Sequence, residues 1–88
     1  MAVVWIPALI RPLTEGKTQV VVEGATVRAI VEALETLYPG VAARIVEDDR
    51  IRPGLSVAVD GAVSHKGLRE AVRADSEVHF VPAMTGGS

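Results

Sequence analysis

Residues 24–40, GATVRAIVEALETLYPG, decide the architecture, because the hydrophobic period changes inside them. Upstream, AVVWI (2–6) and KTQVVV (17–22) carry the β-branched and aromatic runs of strands. Within the stretch, Val27, Ile30, Val31, Leu34 and Leu37 recur at the spacing of one helical face, and Arg28, Glu32 and Glu35 take the other side. Thr26 is placed to cap this helix, since its hydroxyl can accept from an otherwise unpaired amide two or three residues on. Tyr38-Pro39-Gly40 ends it, because the residue before proline avoids the α region and glycine takes dihedrals closed to other residues. Burying each of the five apolar side chains is worth roughly 1.5–3 kcal/mol, more than any surface pairing on the opposite side.

Working outward, PALIRPLTEGK (7–17) holds two prolines and a glycine and reads as a turn joining the first two strands into a hairpin. Residues 41–46 read as one short helical turn before a polar loop. LSVAVDGAV (55–63) reads as a strand, a tight Asp60-Gly61 turn and a short return strand. LREAV (68–72) is too short for a lone helix and reads as one packed turn. SEVHFV (76–81) is the final strand. The order predicts an α+β domain, a mixed sheet of four to five strands with one main helix packed on one face. That is the β-grasp, or ubiquitin-like, arrangement. A doubly wound α/β fold is disfavoured, since one long helix cannot cover two faces. The domain is expected over residues 1–82, with 83–88 as a flexible C-terminal tail.

A sheet covered on one side should alternate. Val4, Ile6, Thr18, Val20, Val22, Leu55, Val57, Val59, Val78 and Phe80 are expected to face the helix, and Lys17, Gln19, Glu77 and His79 to face away. The outer face then inherits Val3, Trp5, Val21, Ala58 and Val81. This is more apolar surface than a solvated face needs, so it is a candidate partner-binding patch with Trp5 as its anchor. A register slipped by one residue would instead place Trp5 in the core. Both readings stand at this point.

Composition narrows the chemistry. The chain has 88 residues, 49% of them hydrophobic and 23% charged, enough for one modest globular core. With a net charge of -2 and nine lysines and arginines spread from Arg11 to Arg73, it lacks the basic stripe of a nucleic-acid binder. No apolar run approaches a membrane span, and no signal-peptide pattern opens the chain, so a cytoplasmic location is expected. The absence of cysteine removes thiol nucleophiles, disulfides and thiolate metal sites. His65 and His79 are fourteen positions apart with no metal-ligand spacing around them. His65-Lys66 reads as a solvated loop, and Asp48, Asp49 and Arg50 as a solvated charge cluster, because adjacent carboxylates alone make no metal site. Arg11 could serve a partner, packing or solubility. No glycine-rich phosphate cradle is present. No cofactor and no catalytic side chain are expected.

VAVDGA (57–62) and LREAVRADSEVHFVPAMTGG (68–87), with their order and spacing, resemble the ubiquitin-like sulfur-carrier proteins of the ThiS and MoaD type over nearly the whole chain. IPALIRPLTEGK (6–17) resembles the first loop of the CysO-like branch, which serves cysteine synthesis. The resemblance implies that Gly87 carries the chemistry, on a tail of Met84, Thr85, Gly86 and Gly87. A ubiquitin-activating-type adenylating enzyme would use ATP to make an acyl-adenylate on Gly87. Sulfur would then displace AMP to leave a thiocarboxylate.

The need for activation is physical, since a carboxylate with a pKa of roughly 3.3–3.7 is ionised at neutral pH and a poor electrophile. Glycines without Cβ suit a narrow channel. An extended stretch from 83 to 87 reaches roughly 17 Å at about 3.3–3.6 Å per residue. Pro82 is expected to release the chain from the sheet. Met84 could anchor in a partner groove.

The chain departs from directly acting members in Ser88, which follows the second glycine. It reads as a residue removed by a JAMM-type peptidase or as a linker remnant, and either way the 88-residue form would be a precursor or inactive. The accepting enzyme implied is a PLP-dependent cysteine synthase, or a thiazole, molybdopterin or thiosugar synthase. A ubiquitin-like modifier joined through Gly87 and a β-grasp interaction module with an idle tail are the alternatives.

Overall fold

The computed structural model describes residues 1–82. In chain order its elements are β1 (Ala2–Trp5), a 3-10 segment (Ala8–Thr14), β2 (Gln19–Val22), α1 (Val27–Leu37), α2 (Val41–Ile45), β3 (Val46–Glu47), β4 (Arg50–Ile51), β5 (Leu55–Val59), β6 (Ala62–Val63), a second 3-10 segment (Gly67–Arg69) and β7 (Glu77–Pro82). One sheet runs in the order β2-β1-β7-β5-β6, and β3 and β4 form a separate hairpin. The β1–β7 pair is parallel and the other neighbours are antiparallel, so the sheet is mixed. The first strand and the last thus lie side by side in its middle.

Alternation sets the core. Ala2, Val4, Ile6, Val20, Val22, Val57, Val78 and Phe80 are buried, and Val27, Ile30, Val31 and Leu34 of α1 join the same cluster. Leu55 and Val59 pack against it partly buried. Thr26 caps α1 as its sequence position predicts, its Oγ1 accepting from Ala29 N at 3.2 Å. Gly24 stands where the chain turns from β2 into α1. A Cβ there would lie 2.9 Å from the Ile30 backbone nitrogen, so only glycine fits without a shift.

Two expected core positions are corrected. Leu37 is 55% exposed. The helix ends at that residue, Tyr38 leaves helical geometry at φ -136 and ψ 84, and the Tyr38 ring packs against the core instead. Thr18 is exposed because β2 begins at Gln19, opposite Trp5; at 18 only the backbone is engaged, its carbonyl accepting from Ile6 N at 2.8 Å.

Two loops prove more ordered than expected. Residues 8–14 wind as a 3-10 segment around buried Ile10 and Thr14, ending at Glu15 in the left-handed region with φ 58. Thr14 Oγ1 lies 3.2 Å from the Arg11 carbonyl and 3.1 Å from that of Lys17, and its single proton serves one at a time. Arg11 itself packs, Nε donating to the Ile6 carbonyl at 3.1 Å. Residues 46–51 form the β3–β4 hairpin, with Asp48 at φ 54 and Asp49 at φ 62 supplying the two left-handed positions that a tight hairpin turn needs. The Asp60-Gly61 turn is as predicted, with φ 52 and 86.

Candidate functional site

The face of the sheet opposite α1 is the candidate site. Register places Gln19, Trp5, His79, Ala58 and Val63 in one transverse row across all five strands, one residue from each. Val3 pairs with Val21 on one side and Glu77 on the other, and Val81 pairs with Ser56. The expected patch of Val3, Trp5, Val21, Ala58 and Val81 therefore lies on a single face. Val21 is 51% exposed and the other four are half-buried. Trp5 is on this face and outside the core, so the register is not slipped.

Trp5 is held in place by its neighbours on β7. Its ring stacks on His79 with centroids 5.2 Å apart and planes 15° from parallel. Its Nε1 donates to Glu77 Oε1 at 3.2 Å, and His79 Nε2 lies 3.8 Å from the same oxygen. A flat aromatic surface fixed from two sides is a ready contact area that loses little side-chain freedom on docking.

Val63 belongs to the same face, 57% exposed, and was missed from the sequence. The signal was present: a two-residue turn at Asp60-Gly61 puts Val63 opposite Ala58, hence on its side of the sheet. Asp60 also fastens this turn to the start of β7. Its Oδ1 accepts from Glu77 N at 2.9 Å and its Oδ2 from Ser76 Oγ at 2.9 Å, with Arg73 at 3.5 Å. The Glu77 amide first, and the Ser76 hydroxyl next, hold the Asp60 carboxyl below its ordinary range.

A second feature lies where β7 ends. Pro82 still pairs with Leu55 as the last described strand residue, and the release from the sheet expected there lies outside the described residues. Around it Pro7, Leu9, Phe80 and Leu55 line a cavity of about 540 Å³, with Arg44 and Arg52 also on its wall. Leu9 is 91% exposed and was not singled out from the sequence. The tail residues Met84, Thr85, Gly86, Gly87 and Ser88 lie outside the described residues. Among the described residues no cluster of histidine and carboxylate side chains could hold a metal, and no helix is long and apolar enough to cross a membrane. His65 and Lys66 are exposed, and Asp49 pairs with Arg28 at 2.7 Å.

Comparison with known proteins places this geometry. The family model for ThiS matches residues 4–87, from the first strand through the second glycine of the tail. The chain belongs to the ThiS family. The sulfur carrier protein CysO of Mycobacterium tuberculosis is 31% identical over 93% of this chain and 94% of its own length. Small archaeal modifier protein 3 of Haloferax volcanii is 32% identical over 74% of this chain and 73% of its own. Among solved structures, a chain of the Amycolatopsis orientalis BexX/CysO complex superposes with a TM-score of 0.90 at 29% identity, covering 99% of this chain and all of that one. The ThiS-family fold is thus the β-grasp that the element order predicted.

Proposed function

We propose that this ThiS-family chain is a ubiquitin-like sulfur carrier whose working group is the carboxyl of Gly87. The observation that carries the reading is the family match running to residue 87, on a body whose last strand is central in the sheet. A carrier needs a rigid body and a reactive end that reaches into another protein's site. Here β7 is gripped by β1 and β5 on its two sides, so the root of the tail has a fixed position.

The chemistry follows from the carboxylate. One Gly87 oxygen attacks the α-phosphorus of ATP in an adenylating enzyme and pyrophosphate leaves. Sulfide, or a persulfide followed by reductive release, then attacks the carbonyl carbon and expels AMP. The product is a thiocarboxylate with its charge shared between sulfur and oxygen. In this reading Ser88 must be removed first, by a JAMM-type peptidase, because it occupies the carboxyl of Gly87 in an amide. The chain is a carrier and co-substrate, and catalysis belongs to its partners. The outer face around Trp5 is the docking surface for the adenylating enzyme, and the receiving enzyme is a PLP-dependent cysteine synthase acting on an activated serine. The likeness to CysO over nearly full length supports that acceptor over thiazole, molybdopterin or thiosugar synthases.

One observation favours a second reading, the likeness to a small archaeal modifier. A modifier shares the activation step but passes Gly87 to a lysine amine. Incubating a chain ending at Gly87 with the adenylating enzyme, ATP and sulfide separates the two by mass spectrometry. A carrier gains the mass difference between sulfur and oxygen, whereas a modifier yields larger amide conjugates. A chain still carrying Ser88 should do neither, and if it were loaded as readily, Gly87 would not be the site.

A further inference from the structure

Transfer through Gly87 leaves one feature of the body without a task, a basic concavity beside β5. Arg28 of α1, Arg50 of β4, His65 and Lys66 of the loop after β6, and Arg69 of the second 3-10 segment line one cavity of about 440 Å³. Four of the nine lysines and arginines therefore meet there, and Asp49 is the one carboxylate in the lining. The local excess is three positive charges on a chain whose net charge is -2. Asp49 is already engaged by Arg28 at 2.7 Å. Arg50, Lys66 and Arg69 are exposed and take part in no salt bridge among the described residues.

The cluster is invisible in the sequence because its members are spread over residues 28–69. The fold assembles it by bringing the β3–β4 hairpin against the second 3-10 segment. Beside the cations the wall mixes Ser56 and Ser64 with buried Leu68 and half-buried Ile51. Leu55, directly opposite Pro82 on β7, is also in the lining. Arg50, Lys66 and Arg69, like charges with no ion-pair partner among the described residues, raise the local potential, and an incoming anion relieves it. The donors here are long side chains set around a wide cavity, not backbone amides converging on one point. Several cations around a cavity of about 440 Å³, with Ile51 and Leu68 also in its lining, suit several carboxylates with an aliphatic side chain between them better than a single compact phosphate.

We propose that this concavity docks an acidic, leucine-containing segment of a partner protein, its carboxylates against Arg50, Lys66 and Arg69 and its apolar side chain on Ile51 and Leu68. The inference stands apart from the fate of Gly87, since a peptide binds here whether or not the tail carries sulfur. The test is an amide-shift titration of the isotope-labelled full chain with a short capped peptide of alternating glutamate and leucine. Arg50, Ile51, Lys66 and Arg69 should move, Trp5 and Val21 should not, and the same peptide with glutamine for glutamate should have no effect. Arg50→Glu combined with Lys66→Glu should weaken binding at least about tenfold, equivalent to about 1.4 kcal/mol. Lys66→Gln with Arg69→Gln should lose less in the same direction, which separates lost charge from a damaged fold. Equal binding of the glutamine peptide, or shifts confined to the Trp5 face, overturns the proposal. So does inorganic pyrophosphate moving these amides where the glutamate peptide does not.

Discussion

Trp5 and His79 face each other across the parallel β1–β7 pair, rings stacked at 5.2 Å, so the first strand and the last share one aromatic contact. Stacks of this kind contribute about 0.5–1.5 kcal/mol beyond the area they cover. A double-mutant cycle of Trp5→Ala and His79→Ala, measured by urea unfolding, should return a coupling energy in that range. Additive single effects would mean that the two rings are neighbours without being partners.

The proposed docking surface is tested by the same tryptophan. With one tryptophan in the chain, its fluorescence reports only on this face. Adding the adenylating enzyme should shift the emission to shorter wavelength as water leaves the ring. Trp5→Ala should raise KM for the carrier about tenfold or more while leaving kcat nearly unchanged, the pattern of lost binding. A fall in kcat alone would place the contact elsewhere.

Gly24→Ala should destabilise the fold by about 1–3 kcal/mol, because the added methyl meets the backbone of α1 and not a movable side chain. For a domain of this size that corresponds to a melting temperature lower by roughly 4–8 °C per kcal/mol. An unchanged melting curve would show that the β2–α1 connection has room to yield.

Leu34 and Leu37 are three residues apart on the helix but differ in environment, one fully buried and the other exposed. Leu34→Ala should cost about 2–5 kcal/mol in equilibrium unfolding. Leu37→Ala should stay within about 0.5 kcal/mol of the parent. Similar losses at both positions would restore Leu37 to the core.

Acid sensitivity should come from two carboxylates held by amides. Glu35 accepts from Ala42 N at 2.9 Å and from Gly40 N at 3.1 Å, tying the end of α1 to the start of α2. Those amides, Ala42 first, hold its carboxyl below the ordinary 4.5, and the Glu77 amide holds Asp60 below 3.8. Since both are lowered on folding, their contribution is complete above these ordinary values and is lost as pH falls through the still lower folded ones. Urea midpoints measured downward from pH 5 should therefore decline, and Asp60→Asn should flatten part of that slope. A parent and variant with parallel profiles would contradict the assignment.

The parts legible in the sequence were those fixed by a period or a strong turn signal. Val27, Ile30, Val31 and Leu34 announced the helix, and Asp60-Gly61 announced the β5–β6 hairpin, so the α+β class followed, whereas the strand order and the choice between an outward and a core Trp5 needed the register itself. Less visible was structure that depends on tertiary support. The β3–β4 turn uses Asp48 and Asp49 where glycine is the usual marker, and it read as a polar loop. The 3-10 segment at Ala8–Thr14 was hidden by Pro12, which reads as a breaker but sits within the segment. Alternation grouped Val3, Trp5, Val21, Ala58 and Val81 on the outward face, whereas the cationic cavity escaped notice because nothing in primary order joins Arg28 to Arg69.

The placement of β7 also has a mechanical side. Tension applied at Pro82, as when an enzyme draws the following residues into a channel, runs along the strand axis. It would load the hydrogen bonds to β1 and β5 together, in shear, instead of opening them one after another. An edge strand such as β2 would meet the same pull with bonds on one side only. The body can therefore be hauled by its end and remain intact.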